Sequence, residues 1–219
     1  GDVRQKNVLV TGASSAVGHY IAQLLVQQGA NVIGTVGSEA KAAHARKAGC
    51  KHIIFYKTES VHERVKDITR GQGVDVIIDM DFSTTATWLA QGVLRRHGVL
   101  VCYGSNVSTE VPVTFRPLLW GSFDLRFFLV YDLSAQDRVR ALAQLDDMLR
   151  EGRLQHAVAQ RFPLAEIARH IGSGIPDDWV FDGSTKGVIG YSVGMSAAEG
   201  EAVVTRFPSS TYSDVALYV

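Results

Sequence analysis

The residues best suited to chemistry form a turn near the start of the chain, Val8-Leu9-Val10-Thr11-Gly12-Ala13-Ser14-Ser15-Ala16-Val17-Gly18. Gly12 allows a sharp change of direction after an apolar strand, and Gly18 allows the following helix to pack close to that strand. The small side chains between them let backbone N–H groups at the start of the helix approach a pyrophosphate. The spacing is looser than the G-x-G-x-x-G motif, because two serines and an alanine stand where glycines often do. The turn predicts a dinucleotide site, with an ordinary strand-to-helix turn as the alternative.

The end of the second predicted strand indicates which dinucleotide would bind. An NAD site places an acidic residue there, which accepts hydrogen bonds from the ribose hydroxyl groups. This chain has Thr35 and Ser38 instead, with no acid before Glu39, and Lys41 follows on the first turn of a predicted helix. A hydroxyl group and a cation suit a 2′-phosphate, so the sequence predicts NADP(H). The alternative is that Lys41 is a solvated surface charge, as most lysines are.

A short polar cluster, Gly104-Ser105-Asn106, follows the fifth predicted strand. Ligands of open α/β sheets bind beyond the carboxyl ends of the strands, near the point where the strand order reverses. Backbone groups of this cluster are therefore candidates to contact a nicotinamide amide. A plain turn after a strand has the same composition, and the sequence alone leaves both interpretations open.

Five apolar runs, separated by helical patterns and turns, would position these residues. They are Val8–Val10, Asn31–Val36, His52–Tyr56, Val74–Asp79 and Gly98–Gly104. The runs are short, rich in Val and Ile and mostly continuous in apolar character, whereas half-buried antiparallel strands would alternate. Continuous burial with helical crossovers predicts an α/β protein whose parallel sheet is covered on both faces. Right-handed crossovers make this a doubly wound, Rossmann-type sheet.

Composition excludes several classes of partner and site. The chain of 219 residues has 22 Lys and Arg against 22 Asp and Glu, so it lacks the basic excess typical of nucleic-acid surfaces. No apolar run approaches the roughly 20 residues of a membrane span, and the polar N-terminus lacks a signal-peptide core. The histidines show no metal-ligand spacing, and the two cysteines form no C-x-x-C motif. We therefore expect no metal, no nucleic acid and no membrane, and a cytoplasmic protein with reduced thiols.

One series of segments runs in a specific order from Asn7 to Val193. It consists of Val8–Gly18, Gly34–Ser38, Lys41–Ala45, Ala48-Gly49, Ile54–Tyr56, Ile68–Val76, Val101–Asn106, Arg161–Leu164 and Gly183–Ile189. This series resembles the cofactor-binding domain of the medium-chain dehydrogenases/reductases. Within that superfamily it is most similar to the zinc-free quinone oxidoreductase (zeta-crystallin-like) and enoyl reductase branch.

The resemblance implies NADPH as the cofactor and a small-molecule substrate, a quinone, enone or enoyl thioester, that receives its hydride. By the same resemblance, contacts to the 2′-phosphate fall on Ser38, Lys41 and Tyr56, and Asp79 lies next to the cofactor. The full set of predicted cofactor-binding residues is Gly12, Ser14, Ser15, Ala16, Val17, Gly18, Thr35, Ser38, Lys41, Tyr56, Asp79, Gly104, Ser105 and Asn106. We name no catalytic residue, because the cofactor carries the reaction and another domain of the family holds much of the substrate pocket.

The chain departs from the family pattern in two places. The family usually carries a GroES-like catalytic domain ahead of this one, which is absent or vestigial here, so we expect a fragment, a domain of a larger enzyme or a diverged single-domain protein. After the acidic residue at position 79 the family usually has Val-Gly, whereas this chain has Met80-Asp81-Phe82. These departures favour an alternative function, a non-catalytic NADPH-binding scaffold or sensor domain. We expect a dinucleotide-binding domain over residues 1–193 and a C-terminal extension over residues 194–219.

The run from Ser122 to Val130 is strongly β-prone, with Phe123, Leu125, Phe127 and Leu129 on one face. It predicts either an interior strand or an edge strand that pairs across a two-fold axis, as the dimers of the resembling family do. We therefore expect a homodimer through this strand, or a place in a larger multidomain enzyme.

A long amphipathic helix is predicted after Ser134 and ends near Gly152. Val139, Leu142 and Leu149 lie on its apolar side, and such a stripe is typical of a helix that covers a core.

Overall fold

The structure is a computed structural model that describes residues 2–107 and 109–156, together with strands at 160–163, 193–195 and 201–204. The chain falls into two units, Gly1–Leu154 and Gln155–Val219. The domain boundary expected at residue 193 stays a prediction, because residues 164–192 lie outside the described part. The resembling segment Gly183–Ile189 lies outside it as well.

A six-stranded parallel sheet forms the centre of the first unit, as predicted from the apolar runs. Its strands are β1 (Asn7–Val10), β2 (Asn31–Val36), β3 (His52–Phe55), β4 (Val74–Asp79), β5 (Leu94–Cys102) and β6 (Asp124–Phe127). Their order across the sheet is β3-β2-β1-β4-β5-β6, and every neighbouring pair is parallel. This is the doubly wound Rossmann order, in which the direction of winding reverses between β1 and β4.

Helices cover both faces of this sheet. They are α1 (Ala16–Gln27), α2 (Glu39–Lys47), α3 (Val61–Ile68), α4 (Phe82–Leu89), α5 (Phe115–Gly121) and α6 (Ala135–Arg150). Val8 and Val10 of β1 pack with residues of α1 and α2 on one face, whereas Leu9 packs with residues of α3 and α4 on the other. All three side chains are completely buried, which explains why β1 is continuously apolar instead of alternating.

Strand β6 is one of the two edge strands of the sheet, since it pairs only with β5 among the described strands. Phe123 and Leu125 pack against the core, whereas Phe127 and Leu129 are more than half exposed. The strand is shorter than the predicted run, because Ser122 adopts a left-handed conformation and a 3₁₀ turn begins at Val130.

The predicted amphipathic helix is present as α6, but its apolar side is largely uncovered. Within the described residues of α6, Met148 is the one fully buried apolar side chain, whereas Val139, Leu142 and Leu149 are more than half exposed. The periodicity correctly predicts the helix, but not what covers its apolar side.

In the second unit, the described residues form a three-stranded antiparallel sheet in the order β7-β9-β8. These strands are β7 (Gln160–Pro163), β8 (Val193–Met195) and β9 (Glu201–Val204).

Candidate functional site

The turn between β1 and α1 lies at the carboxyl end of β1, beside the point where the strand order reverses. Gly12 has φ +61°, a left-handed conformation that side chains disfavour and that lets the chain reverse direction here. Gly18 packs directly on the turn, and a Cβ at this position would lie 2.2 Å from the carbonyl oxygen of Gly12. The two glycines thus bring the N-terminus of α1 against the strand.

The serines of the turn support the helix. Ser15 is the N-cap of α1, and its Oγ accepts a hydrogen bond from the N–H of Gly18 at 3.0 Å. Ser14 and Ser15 are both buried, whereas Val17 at the start of the helix is 52% exposed. What the turn offers to a ligand is therefore the set of backbone N–H groups at the exposed start of α1, where the helix dipole favours an anion. The first turn of α1 carries no acidic side chain that would repel one.

Two side chains join the ends of β1 and β4 behind the turn. Thr11 Oγ1 donates to Asp79 Oδ1 at 3.1 Å and accepts from the N–H of Met80 at 2.8 Å. Asp79 Oδ1 also accepts from Thr85 Oγ1 at 2.8 Å and from the N–H of Asp81 at 3.1 Å. Asp79 is 0% exposed, so its carboxyl group supports the turn from inside the sheet and does not line the surface that a ligand would touch.

Burial disfavours the charged form of Asp79. It raises the pKa of this carboxyl group above the usual 3.8, and the hydrogen bonds from Asp81, Thr85 and Thr11 oppose the shift without cancelling it. Its second oxygen, Oδ2, is buried and has no hydrogen-bond partner in the described part of the chain. The absence of a donor at Oδ2 disfavours the charged form further.

Asp81 has the opposite environment two residues later. Its Oδ1 accepts from the backbone N–H of Asn106 at 2.9 Å and from the hydroxyl of Ser83, and its Oδ2 accepts from Asn106 Nδ2 at 2.7 Å and from the hydroxyl of Thr84. Partial burial opposes ionisation of Asp81, but the hydrogen bonds from Asn106, Ser83 and Thr84 outweigh it and hold the pKa below the usual value. Asp81 therefore ties the start of α4 to the predicted cluster at Gly104–Asn106.

A group of basic and hydroxyl side chains lies at the carboxyl ends of β2 and β3. A Cβ at Gly37 would lie 3.1 Å from the hydroxyl of Tyr56 and 3.4 Å from Cε of Lys57, so these two side chains lean over the glycine. Burial, and then the neighbouring charge of Lys57, lower the pKa of Lys41 on the first turn of α2. Ser38 is the exposed N-cap of α2, and its hydroxyl makes no capping hydrogen bond. We call these five residues, Gly37, Ser38, Lys41, Tyr56 and Lys57, the basic cluster.

The basic cluster carries positive charge that no nearby carboxylate offsets. In the part of the chain that the structure describes, neither Lys41 nor Lys57 forms an ion pair. The closest acids along the chain are Glu39 and Glu59, and they are paired with Arg46 at 2.7 Å and with Arg64 at 2.9 Å. Two cations held near each other, beside a free hydroxyl group, fit a doubly charged anion such as a phosphate monoester.

The structure brings the predicted site residues to one edge of the sheet in three groups: the turn at 12–18, the basic cluster and the loop at 104–106. Thr35 and Asp79 lie behind these groups, and both are buried. The Oγ1 of Thr35 accepts from the N–H of Gly12 at 3.0 Å, so Thr35 fixes the turn from the neighbouring strand. A direct contact between any of these residues and a cofactor stays a prediction.

Two residues of the site were missed in the sequence. Lys57 directly follows Tyr56, and it becomes significant only because β3 pairs with β2, which places it opposite the start of α2. Asp81 did carry a signal, since it stands in the segment that departs from the family pattern. The sequence showed that this segment differs from the family pattern, but it did not predict the hydrogen bonds between Asp81 and Asn106.

The described residues contain no group of three or more His, Cys, Asp or Glu side chains arranged to hold a metal ion. Of the helices in the same part of the chain, none has both the length and the apolar character needed to cross a membrane.

Comparison with known proteins identifies a family. The model of the zinc-binding dehydrogenase family matches residues 16–147. A curated relative, the 2-haloacrylate reductase of a Burkholderia species, is 36% identical over 165 residues, which are 74% of this chain and 49% of the relative. The chain thus spans about half the length of the curated relatives it matches.

Solved structures agree with this assignment. A crystal structure of a 2-haloacrylate reductase has a TM-score of 0.69 and 32% sequence identity, over 80% of this chain and 56% of that protein. The crystal structure of Escherichia coli quinone oxidoreductase complexed with NADPH has a TM-score of 0.64 and 28% identity, over 72% of this chain and 49% of that protein.

The two neighbouring carboxyl groups predict opposite effects of pH on stability. The raised pKa of Asp79 means that its contribution is fully present below the usual value of 3.8 and is lost as the pH rises through the folded value. The lowered pKa of Asp81 means that its contribution is present above 3.8 and is lost as the pH falls through the folded value. As the pH rises above 3.8, the stability of the wild type should therefore fall relative to Asp79→Asn, and as the pH rises toward 3.8 from below, it should rise relative to Asp81→Asn.

Urea unfolding of the three proteins at a series of pH values measures both differences. Each variant replaces a carboxyl group with an amide of the same shape, so the two variants control for each other. Differences that change in the same direction with pH would contradict the opposite pKa shifts of Asp79 and Asp81.

Proposed function

This chain belongs to the zinc-binding dehydrogenase family, in its zinc-free quinone oxidoreductase branch, and from that membership we propose that it is the cofactor-binding part of an NADPH-dependent oxidoreductase. The turn at 12–18 would hold the pyrophosphate at the N-terminus of α1, and the basic cluster would hold the 2′-phosphate. When bound, NADPH supplies a hydride, and the protein supplies orientation and a site shielded from water.

The basic cluster is the feature that favours NADPH over NADH as the cofactor. A dinucleotide without a 2′-phosphate would leave Lys41 and Lys57 close together without a counter-ion, which costs free energy. A 2′-phosphate would pair with both lysines and with the unused hydroxyl of Ser38, and Tyr56 would close the site from β3. No acidic side chain stands at the end of β2 to accept from ribose hydroxyl groups, as an NAD site requires.

The relatives support a proposal about the substrate class. A haloacrylate has a carbon–carbon double bond conjugated to a carboxylate, and a quinone is a conjugated diketone, so both accept a hydride at an electron-poor carbon. We propose an acceptor of this class for the enzyme of which this chain forms part: a quinone, an enone or an enoyl thioester. No described side chain is assigned a catalytic role. The cytoplasmic location expected from the sequence also stays a prediction.

A second candidate function is a scaffold or sensor that binds NADPH without reducing a substrate. The specific observation in its favour concerns the segment after β4. There, Met80 packs against Gly12, and Asp81 accepts hydrogen bonds from Asn106. A Cβ at Gly12 would lie 2.1 Å from the sulfur of Met80, so this side chain fills space directly beside the turn. At the carboxyl ends of the strands, this packed and hydrogen-bonded segment suits a site that holds a dinucleotide without admitting a substrate.

The edge strand supports a proposal about assembly. Among the described strands, β6 pairs with β5 alone, and it is followed by exposed apolar side chains at Phe128, Leu129, Val130 and Tyr131. An edge of this kind is a template for pairing with another strand. We propose that two copies of the chain pair through the run 122–130, extending the sheet across a two-fold axis, with a contact to another domain of a larger enzyme as the alternative.

Replacing Lys41 or Lys57 with alanine should weaken NADPH binding about tenfold or more for each lysine, because each substitution removes a charge-assisted hydrogen bond. Binding of NADH should change little, since NADH has no 2′-phosphate. Lys47→Ala is the matched control, because this exposed lysine lies on the same helix at its far end. The affinities of the three variants are measured by titrating the full chain with NADPH or NADH and monitoring the fluorescence of the reduced nicotinamide. Equal losses for NADPH and NADH would rule out the 2′-phosphate assignment.

Turnover distinguishes the two candidate functions. The full chain is first titrated with NADPH, and a quinone or crotonyl thioester is then added while the absorbance of the reduced cofactor is followed. We expect binding, and oxidation of NADPH wherever the substrate pocket is complete. Binding without oxidation would favour the scaffold or an isolated cofactor domain, and the absence of any binding would contradict both functions.

Proline at Phe127 should abolish dimer formation without unfolding the chain. The N–H of Phe128 donates to the carbonyl of Cys102 at 3.1 Å, so the N–H of Phe127 points to the opposite edge, along which no described strand lies. Phe128→Pro is the control, because it removes the internal bond and should lower stability. Analytical ultracentrifugation with circular dichroism tests both variants. A wild type that stays monomeric at tens of micromolar, or a dimeric Phe127→Pro variant, would exclude pairing through β6.

A further inference from the structure

The two halves of the sheet present opposite charges at the carboxyl ends of their strands. The half formed by β1, β2 and β3 carries the basic cluster. The half formed by β4, β5 and β6 carries Asp81, directly after β4. A doubly wound sheet of this order binds one mononucleotide on each half. Given the proposed function, the 2′-phosphate end lies on the first half, and the nicotinamide therefore lies on the half that carries Asp81.

Asp81 is held in place more firmly than a surface aspartate. Four hydrogen bonds reach its two oxygens, two from Asn106 and one each from Ser83 and Thr84. The two bonds to Asn106 span 25 positions of the chain and fix the loop after β5 relative to the start of α4. All four donors are neutral, so the network leaves the negative charge of the carboxylate uncompensated. The hydrogen bonds also keep the pKa of Asp81 low, so the group is ionised at neutral pH.

The two redox forms of a nicotinamide differ by one unit of charge on the ring. The oxidised ring is a cation, and the reduced ring is neutral. A fixed carboxylate near the ring therefore stabilises the oxidised form and has little direct effect on the reduced form. Where the resembling family usually has an uncharged Val-Gly, this chain has an anion.

We propose that Asp81 is a positioning and specificity-determining residue that holds Asn106 in the nicotinamide half of the site and shifts the preference of that site toward the oxidised cofactor. The proposal has two separable parts. The hydrogen bonds to Asn106 shape the loop for either redox form, and the charge discriminates between the forms. This inference rests on the proposed function, because it requires that a nicotinamide dinucleotide binds.

The ratio of the dissociation constants for NADP⁺ and NADPH measures the charge effect directly. In the full chain, Asp81→Asn should raise this ratio about fivefold to tenfold, because the amide keeps the shape of the side chain but removes the negative charge. NADPH binding is followed by its fluorescence, and NADP⁺ binding by competition or by calorimetry. Asp81→Ser is a second variant that removes the charge while keeping a side chain that caps helices well.

Two controls separate the parts of the proposal. Asn106→Ala removes the hydrogen bond from the Asn106 side chain but keeps the backbone hydrogen bond and the carboxylate, so it should weaken both redox forms together and leave their ratio unchanged. Asp67→Asn removes one negative charge from the exposed surface of α3 and should change neither affinity. Thermal unfolding of each variant shows whether it is folded when its affinities are measured.

The outcomes distinguish this inference from the proposed function. If the wild type binds neither redox form, the proposed function fails and the inference fails with it. If the wild type binds both forms and the two Asp81 variants leave the ratio unchanged, the inference alone is wrong. If Asp67→Asn changes the ratio as much as Asp81→Asn does, a local action of Asp81 is excluded.

Discussion

The hydrogen bonds shared by Thr11 and Asp79 are the constraint on which the rest of the site depends. Strands β1 and β4 are distant in sequence and become neighbours only because the winding of the sheet reverses between them. The crevice for a ligand lies at that point, so the ends of these two strands must keep a fixed separation. Thr11 donates to Asp79 and accepts from the backbone of Met80, which locks the ends together. Burying a carboxyl group is costly, and three donors to one oxygen offset only part of that cost, as the raised pKa of Asp79 indicates.

Positive and negative side chains lie at different places along the carboxyl ends of the strands. Lys41 and Lys57 lie at the end of β2 and β3, whereas Asp81 lies beyond β4 and bonds to the loop after β5. Asp81 follows β4, and from β2 to β4 there are two strand spacings, roughly 10 Å, which is close to the screening length of about 10 Å at 0.1 M salt. Salt therefore weakens the attraction between the basic cluster and Asp81. On the proposed function, each acts on the part of the dinucleotide nearest to it, while the uncharged start of α1 between them serves the pyrophosphate.

The sequence was sufficient for features that depend on local pattern. Continuous apolar runs predicted buried parallel strands, because Val8, Leu9 and Val10 must all pack when both faces of a sheet are covered. The sequence did not predict the site residues whose role depends on which strands are neighbours in the sheet. Lys57 belongs to the basic cluster only because β3 lies beside β2, and Asp81 reaches Asn106 only because β4 lies beside β5. Helix α6 shows a different limit. The spacing of its apolar residues predicts an apolar side. That spacing does not predict which surface covers exposed residues such as Leu142.

The buried residues of the motif explain why a turn can be specific when few of its side chains reach a ligand. Ser15 caps α1, Thr35 accepts from the N–H of Gly12, and Asp79 holds Thr11. All three are predicted cofactor-binding residues, and in the structure each fixes the backbone of the turn. A direct contact of their side chains with the cofactor stays a prediction. Since the ligand would meet backbone atoms, the identity of these side chains matters through geometry. A substitution at any of them would lower affinity by displacing the backbone, and that loss would not imply that the side chain touches the cofactor. On the proposed function, the side chains of the basic cluster and of Asp81 differ in this respect, because their charge would act on the ligand directly.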